Sequence, residues 1–195
     1  MQAIPVACQG THLLASAPTG SGKTAAFLLP VLAHISRLQS AARVQDCRPW
    51  VKGSITGVQD LKYPLALILG PTRELCAQIE AEAQLLARGL PGIKTALVVG
   101  GNSLSQQMHR VDQGCQVIIA TPGRLIDVLV RTGMALDSVE ILVMDEVDSM
   151  LEVRTRFTYV VTKKGRIRVS ILLPIWYKSY ESYLIAGGVL RPQFR

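Results

Sequence analysis

From Thr11 to Met144 the chain repeats one pattern: a short, nearly continuous apolar run, then Gly, Pro or Thr, then a stretch with apolar residues at helical spacing. Strands covered on both faces read as unbroken Val, Ile, Leu and Ala rather than as an alternation. A helix between successive strands makes them parallel, because a crossover returns the chain to the same end of the sheet. The pattern therefore predicts an α/β fold with a mostly parallel sheet flanked by helices. Strands are expected at His12–Ser16, Leu65–Leu69, Thr95–Val99, Val117–Ala120 and Glu140–Met144, and helices at Lys23–Leu38, Arg73–Ala87, Ser103–Val111 and Arg124–Arg131. Ligands in such folds bind beyond the carboxyl ends of the strands. Between Ser40 and Pro64 the periodicity fails and Gly, Pro and mixed charge take over, which predicts a surface insertion.

A chain of 195 residues, 49% of them hydrophobic, can bury one substantial core. Its formal charge of +7 is unevenly placed. Met1 to Glu152 holds 12 Lys and Arg against 13 Asp and Glu, a net of −1, whereas Val153 to Arg195 holds 9 against 1, a net of +8. The basic character thus belongs to the end of the chain, and a boundary is expected near Glu152: a domain over 1–152 and a divergent, poorly ordered basic tail over 153–195. Cys8, Cys47, Cys76 and Cys115 form no Cys-x-x-Cys pair and no zinc-ligand set. They suit a reduced intracellular protein. The amino-terminal stretch does not read as a secretory signal, and the apolar run Val169 to Tyr177 is far short of the roughly 20 residues that span a bilayer, so no membrane role is expected.

Two motifs carry chemistry. Ala17-Pro18-Thr19-Gly20-Ser21-Gly22-Lys23-Thr24 fits a Walker A phosphate loop between an apolar run and a helix. In such a loop Gly20 and Gly22 let backbone N–H groups close around phosphate oxygens, Lys23 brings positive charge to the β/γ-phosphates, and Thr24 offers a hydroxyl to Mg²⁺. Asp145-Glu146-Val147-Asp148 follows the apolar run Glu140 to Met144 and places two carboxylates at a strand end. Asp145 would hold Mg²⁺ through water and Glu146 would orient or deprotonate an attacking water. A helix N-cap explains an isolated Asp-Glu equally well, but downstream of a phosphate loop the pair reads as the acidic partner of the metal. Together the motifs predict a nucleoside-triphosphate hydrolase.

Three further loops narrow the class. Pro71-Thr72-Arg73-Glu74-Leu75, Gly100-Gly101 and Thr121-Pro122-Gly123-Arg124 follow the second, third and fourth expected strands. With the phosphate loop and Asp-Glu-x-Asp, in this order, the stretch from Met1 to about Glu152 resembles the first RecA-like domain of DEAD-box RNA helicases. The resemblance implies a RecA-like P-loop domain, Mg-ATP as ligand, and contact of Thr72, Arg73, Gly101, Thr121, Gly123 and Arg124 with the sugar-phosphate backbone of single-stranded RNA. Arginines, hydroxyls and glycine-exposed amides at strand-to-helix turns can bind successive phosphates without reading bases. Taken singly, Pro71-Thr72 and Thr121-Pro122 read as helix-start turns. A nucleotide kinase or signalling GTPase would not explain the two together.

The chain also departs from that pattern. It begins just after the position of the family's adenine-reading glutamine, and Gln2 is not that residue. Val147 stands where the family has the alanine of its name. After Glu152 neither a Met-Gly-Phe-like stretch nor a strand ending in Ser-Ala-Thr follows. That strand ordinarily lies between those carrying Walker A and Asp-Glu-x-Asp, so the sheet is expected to be incomplete. The tail either extends as a disordered basic segment or, through Arg168-Val169-Ser170-Ile171-Leu172-Leu173, fills the vacant position. With the second RecA-like domain and its arginine finger outside this sequence, ATP binding, negligible hydrolysis and no unwinding are expected of the chain alone, as a monomer in nucleus or cytoplasm. A non-catalytic competitor for RNA or protein partners is the alternative; ATPase activity above that of Lys23→Ala would argue against it.

Overall fold

A computed structural model describes residues 3–18, 20–46, 64–132, 134, 136–152, 158–161 and 167–170. In chain order these form helix α1 (Ala3–Cys8), α2 (Lys23–Asp46), strand β1 (Ala66–Leu69), α3 (Arg73–Ala87), β2 (Thr95–Val98), α4 (Leu104–Asp112), β3 (Val117–Ala120), α5 (Pro122–Thr132), β4 (Ile141–Met144), α6 (Val147–Glu152), β5 (Thr158–Val161) and β6 (Ile167–Ser170). The first four strands make one sheet in the order β2-β3-β1-β4, every pairing parallel. The expected α/β architecture is present.

Burial explains the unbroken apolar runs. β1 and β3 are buried at every position. Their side chains alternate between two cores: Leu67, Leu69, Ile118 and Ala120 pack with Leu125 and Val128 of α5, while Ala66, Ile68, Val117 and Ile119 pack with Leu28 and Ile35 of α2 and Ile79 and Ala83 of α3. Each of these two strands therefore has an apolar requirement on both faces.

The expectation fails at the amino-terminal edge. His12–Ser16 is not a strand; residues 11–18 join no ladder, and Leu13 and Leu14 are 47% and 95% exposed. A strand is a property of a pair, and β4, paired only with β1, ends the four-stranded sheet. Nothing described stands between β4 and residues 12–16 to satisfy both. Consistently, β4 is only half-buried along its length, although its sequence is as apolar as that of β1.

The proposal that the tail fills this position is not met in its described part. Ile167–Ser170 pairs antiparallel with Thr158–Val161 in a separate two-stranded sheet, with Val169 opposite Tyr159. Ile171, Leu172 and Leu173 lie outside the described residues. At the expected insertion, α2 runs on through Asp46, so the loop reading holds no earlier than residue 47, and residues 47–63 lie outside the description.

Candidate nucleotide and nucleic-acid site

The phosphate-loop residues lead directly into α2. Gly20 and Gly22 have φ of 80° and 84°, in the left-handed region that L side chains avoid. A Cβ built on either would meet nothing within 4 Å, so the space beside both backbones is open. The Ser21 N–H donates to the Pro18 carbonyl at 3.3 Å, and the Ala26 N–H begins the helical pattern by donating to Gly22 at 3.0 Å. Ala17, Lys23 and Thr24 are half-buried, and Gly20, Ser21 and Gly22 are exposed. Thr19 lies outside the described residues. The helix that follows is fixed to the sheet by its buried face of Leu28, Val31, Leu32 and Ile35. His34 Nε2 also lies 2.9 Å from Glu140 Oε2, just before β4.

Asp145 and Glu146 emerge from the carboxyl end of β4. The Asp145 N–H extends the ladder to the Leu69 carbonyl at 2.9 Å, and Asp145 Oδ1 accepts the Glu146 N–H at 3.1 Å. Glu146 is exposed, with φ of 51°, the one non-glycine among the described residues in the left-handed region. Backbone held in that region by a side-chain-bearing residue marks local strain of the kind found at functional turns. Among the described residues no hydrogen bond or ion pair joins Lys23 or Thr24 to either carboxylate.

The remaining candidates do converge. Thr72, Arg73, Thr121, Gly123 and Arg124 line one open cleft of about 620 Å³ at the carboxyl ends of β1, β2 and β3, together with Pro71, Glu74, Gly100 and Asp127. Thr72 is the N-cap of α3, its hydroxyl accepting the Leu75 N–H at 3.2 Å. The helix-start reading of this Thr is thus correct for its hydroxyl, which caps. Thr121 continues the sheet by donating its N–H to Val98 at 3.1 Å, and its carbonyl accepts from Leu125 at 3.0 Å. Gly101, with φ of 83°, lies against Arg73: an added Cβ would sit 2.4 Å from Nη1. Only glycine lets that guanidinium occupy its place.

Sequence reasoning missed the groups that hold Arg124. Its Nε donates to Gln107 Oε1 at 3.3 Å, Nη1 to Asp127 Oδ2 at 3.1 Å, and Nη2 to the Asn102 carbonyl at 2.8 Å. Asp127, three residues on in α5, was legible from i,i+3 helical spacing; Gln107 and Asn102 carried no local signal.

No cluster of three or more His, Cys, Asp or Glu that could hold a metal is found among the described residues. A magnesium ion here would draw most of its ligands from phosphate and water, as that ion ordinarily does. Within the described residues no helix is long and apolar enough to cross a membrane.

A parallel α/β sheet with a glycine loop opening one helix, a carboxylate pair ending a strand and a cleft holding Arg73 and Arg124 at the strand ends defines a RecA-like P-loop domain. The DEAD/DEAH box helicase family model matches residues 1–172. The chain is 47% identical over 152 residues to DEAD-box ATP-dependent RNA helicase 41 of Oryza sativa subsp. japonica, covering 78% of this chain and 25% of that protein. It is equally similar, 47% over 152 residues, to the probable ATP-dependent RNA helicase DDX59 of Homo sapiens, covering 78% of this chain and 21% of that protein. Among solved structures it resembles the RNA-helicase Prp28 from Chaetomium thermophilum bound to ADP, with TM-score 0.59 and 40% identity over 77% of this chain and 32% of that one. The chain belongs to the DEAD/DEAH box helicase family. It spans about a quarter of the length of the curated relatives it matches.

Proposed function

We propose that this chain is an ATP- and RNA-binding domain of an ATP-dependent RNA helicase, with Mg-ATP held over the phosphate loop and a single RNA strand along the cleft that holds Arg73 and Arg124. Convergence of Thr72, Arg73, Thr121, Gly123 and Arg124 on one cleft carries the reading, because these residues come from two separate strand-to-helix turns that the β1–β3 pairing brings side by side.

The loop fits a triphosphate. The open space beside Gly20 and Gly22 leaves their amides free to approach phosphate oxygens. Ala17, Thr19 and Ser21 belong to the same loop motif, Lys23 would neutralise the β/γ-phosphates, and Thr24 and Asp145 would hold the metal, which when bound would neutralise charge developing on the phosphates. Asp145 Oδ1 accepts the Glu146 amide at 3.1 Å, which orients the carboxylate and leaves acceptor sites on both oxygens. Glu146, exposed on its strained backbone, orients water. On the RNA side, Arg73 and Arg124 supply charge, Gly101 and Gly123 close backbone approach, and Thr72 and Thr121 polar contact. None of these groups reads a base edge, so binding is sequence-tolerant. The protein acts as an intracellular monomer, in nucleus or cytoplasm, and the part over 1–152 carries these sites with 153–195 as an appended tail.

For these 195 residues alone we expect binding without appreciable turnover, since they cover about a quarter of the helicases they match and an arginine finger, which contributes about 10³–10⁵ in rate in related NTPases, is expected from a second RecA-like domain. The test is thermal unfolding with and without Mg-ADP. A ligand that binds only the folded chain raises the midpoint, and Lys23→Ala should abolish the shift. A cooperative transition that ignores Mg-ADP would overturn the nucleotide reading.

A further inference from the structure

The cleft that gathers Arg73 and Arg124 also holds two carboxylates, Glu74 and, bonded to Arg124, Asp127. A negative charge beside a phosphate path repels it, so the place of Asp127 there calls for a compensating role. The Arg124 guanidinium is gripped on three sides, by Gln107 Oε1, Asp127 Oδ2 and the Asn102 carbonyl. Only 16% of its side chain is exposed. Gln107 is itself fixed, at 5% exposure, with Nε2 donating to the Val99 carbonyl at 2.8 Å. That bond turns Oε1 toward Arg124. The second oxygen of Asp127 accepts Arg131 Nε at 2.5 Å, so two arginines neutralise this one carboxylate. The three holders come from different places: Asn102 from the turn after β2, Gln107 from α4 and Asp127 from α5.

We propose that Gln107 and Asp127 are positioning residues for RNA-backbone binding, locking Arg124 at the mouth of the cleft before a phosphate arrives. A guanidinium carries five N–H donors, and the three bonds described leave one on Nη1 and one on Nη2 for a phosphate. An arginine already held loses less conformational freedom on binding, so its remaining donors act from a fixed geometry. Asp127 thus raises affinity for an anion although it is an anion. The inference rests on the cleft being the RNA path.

That sign is the test. Binding of the purified chain to a fluorescein-labelled single-stranded oligouridylate is followed by fluorescence anisotropy at fixed ionic strength, with Asp127→Ala, Arg124→Ala and the double variant. Simple electrostatics makes Asp127→Ala bind more tightly. Positioning makes it bind about tenfold more weakly, the size expected for losing a charge-assisted hydrogen bond. In the Arg124→Ala background the same change should no longer weaken binding, because the bond through which Asp127 acts is already gone. Without RNA, the Arg124 Nε–H resonance should be distinct and slow to exchange in the unaltered chain and should merge with the free arginine signal in Asp127→Ala. Where Asp127→Ala loses its cooperative thermal transition, Asp127→Asn removes the same charge with nearly the same shape. Unchanged or tighter binding by the single variant, with Arg124→Ala weakened, overturns the positioning role alone. If the unaltered chain fails to bind oligouridylate, or Arg124→Ala binds as well as it does, the RNA reading falls and this inference with it.

Discussion

Gly101 and Arg73 show how one residue's lack of a side chain sets another's position. Arg73 opens α3 and would be free to sweep through solvent, yet its guanidinium lies where a Cβ on residue 101 would stand. Gly101→Ala imposes two costs: an L side chain in the left-handed region, about 1–2 kcal/mol, and displacement of the guanidinium. The arginine end is flexible, so displacement disturbs the cleft more than the fold. We therefore predict that Gly101→Ala lowers stability by about 1 kcal/mol and weakens single-stranded RNA binding as much as Arg73→Ala does, measured by thermal unfolding and anisotropy. Full RNA affinity with only the stability loss would mean that Arg73 does not work from this position. Glu146 is the opposite case, a left-handed backbone on a residue with a side chain.

Among the elements, β4 is the informative one. In its parallel ladder the Ile141 and Asp145 amides reach β1-side carbonyls at 3.2 and 2.9 Å, and the two-residue alternation of strands sends those of Leu142 and Met144 the other way. No other described segment accepts them. Amide hydrogen exchange should therefore alternate along β4, slow at Ile141, Val143 and Asp145 and fast at Leu142 and Met144, with residues 12–16 exchanging freely. Uniform protection along β4 would show its outer edge covered. The same edge explains what could be read from sequence. β1 and β3 were legible because each has two faces to bury, which stamps an unbroken apolar run on the sequence. His12–Ser16 has a similar run, but whether it becomes a strand is decided by a neighbour, and no local pattern encodes that. The phosphate loop was legible because its parts are contiguous. The grip on Arg124 was not, since Gln107 and Asn102 lie 17 and 22 residues away.

For the molecule as a whole, two cores hold the four-stranded sheet, and the buried cysteines report on how closed they are. Cys76 lies in the core shared by α2 and α3, and Cys115 in the core under α5. Burial pushes the Cys76 thiol up from 9.0 to about 11, opposed by its contact with the Gly70 carbonyl and reinforced by Asp145 and Glu74. Cys115 rises from 9.0 to about 12 by burial alone. In both cases the folded protein prefers the neutral thiol. The stability this preference contributes is complete below pH 9, where the unfolded chain also keeps its thiols protonated, and is lost as pH rises through about 11 and then about 12. Thermal midpoints should accordingly fall with pH above about 9, and the fall should be shallower in a Cys76→Ala/Cys115→Ala variant, whatever its lower starting stability from two small cavities. All other groups are the same in both proteins, so the difference in slope isolates the two thiols. Exposed Cys8 offers an internal control, reacting with iodoacetamide at about pH 8 while Cys76 and Cys115 resist until the chain is unfolded. If Cys76 reacts as fast as Cys8, the core behind the phosphate-loop helix is open in solution, and nucleotide binding at that loop fails with it.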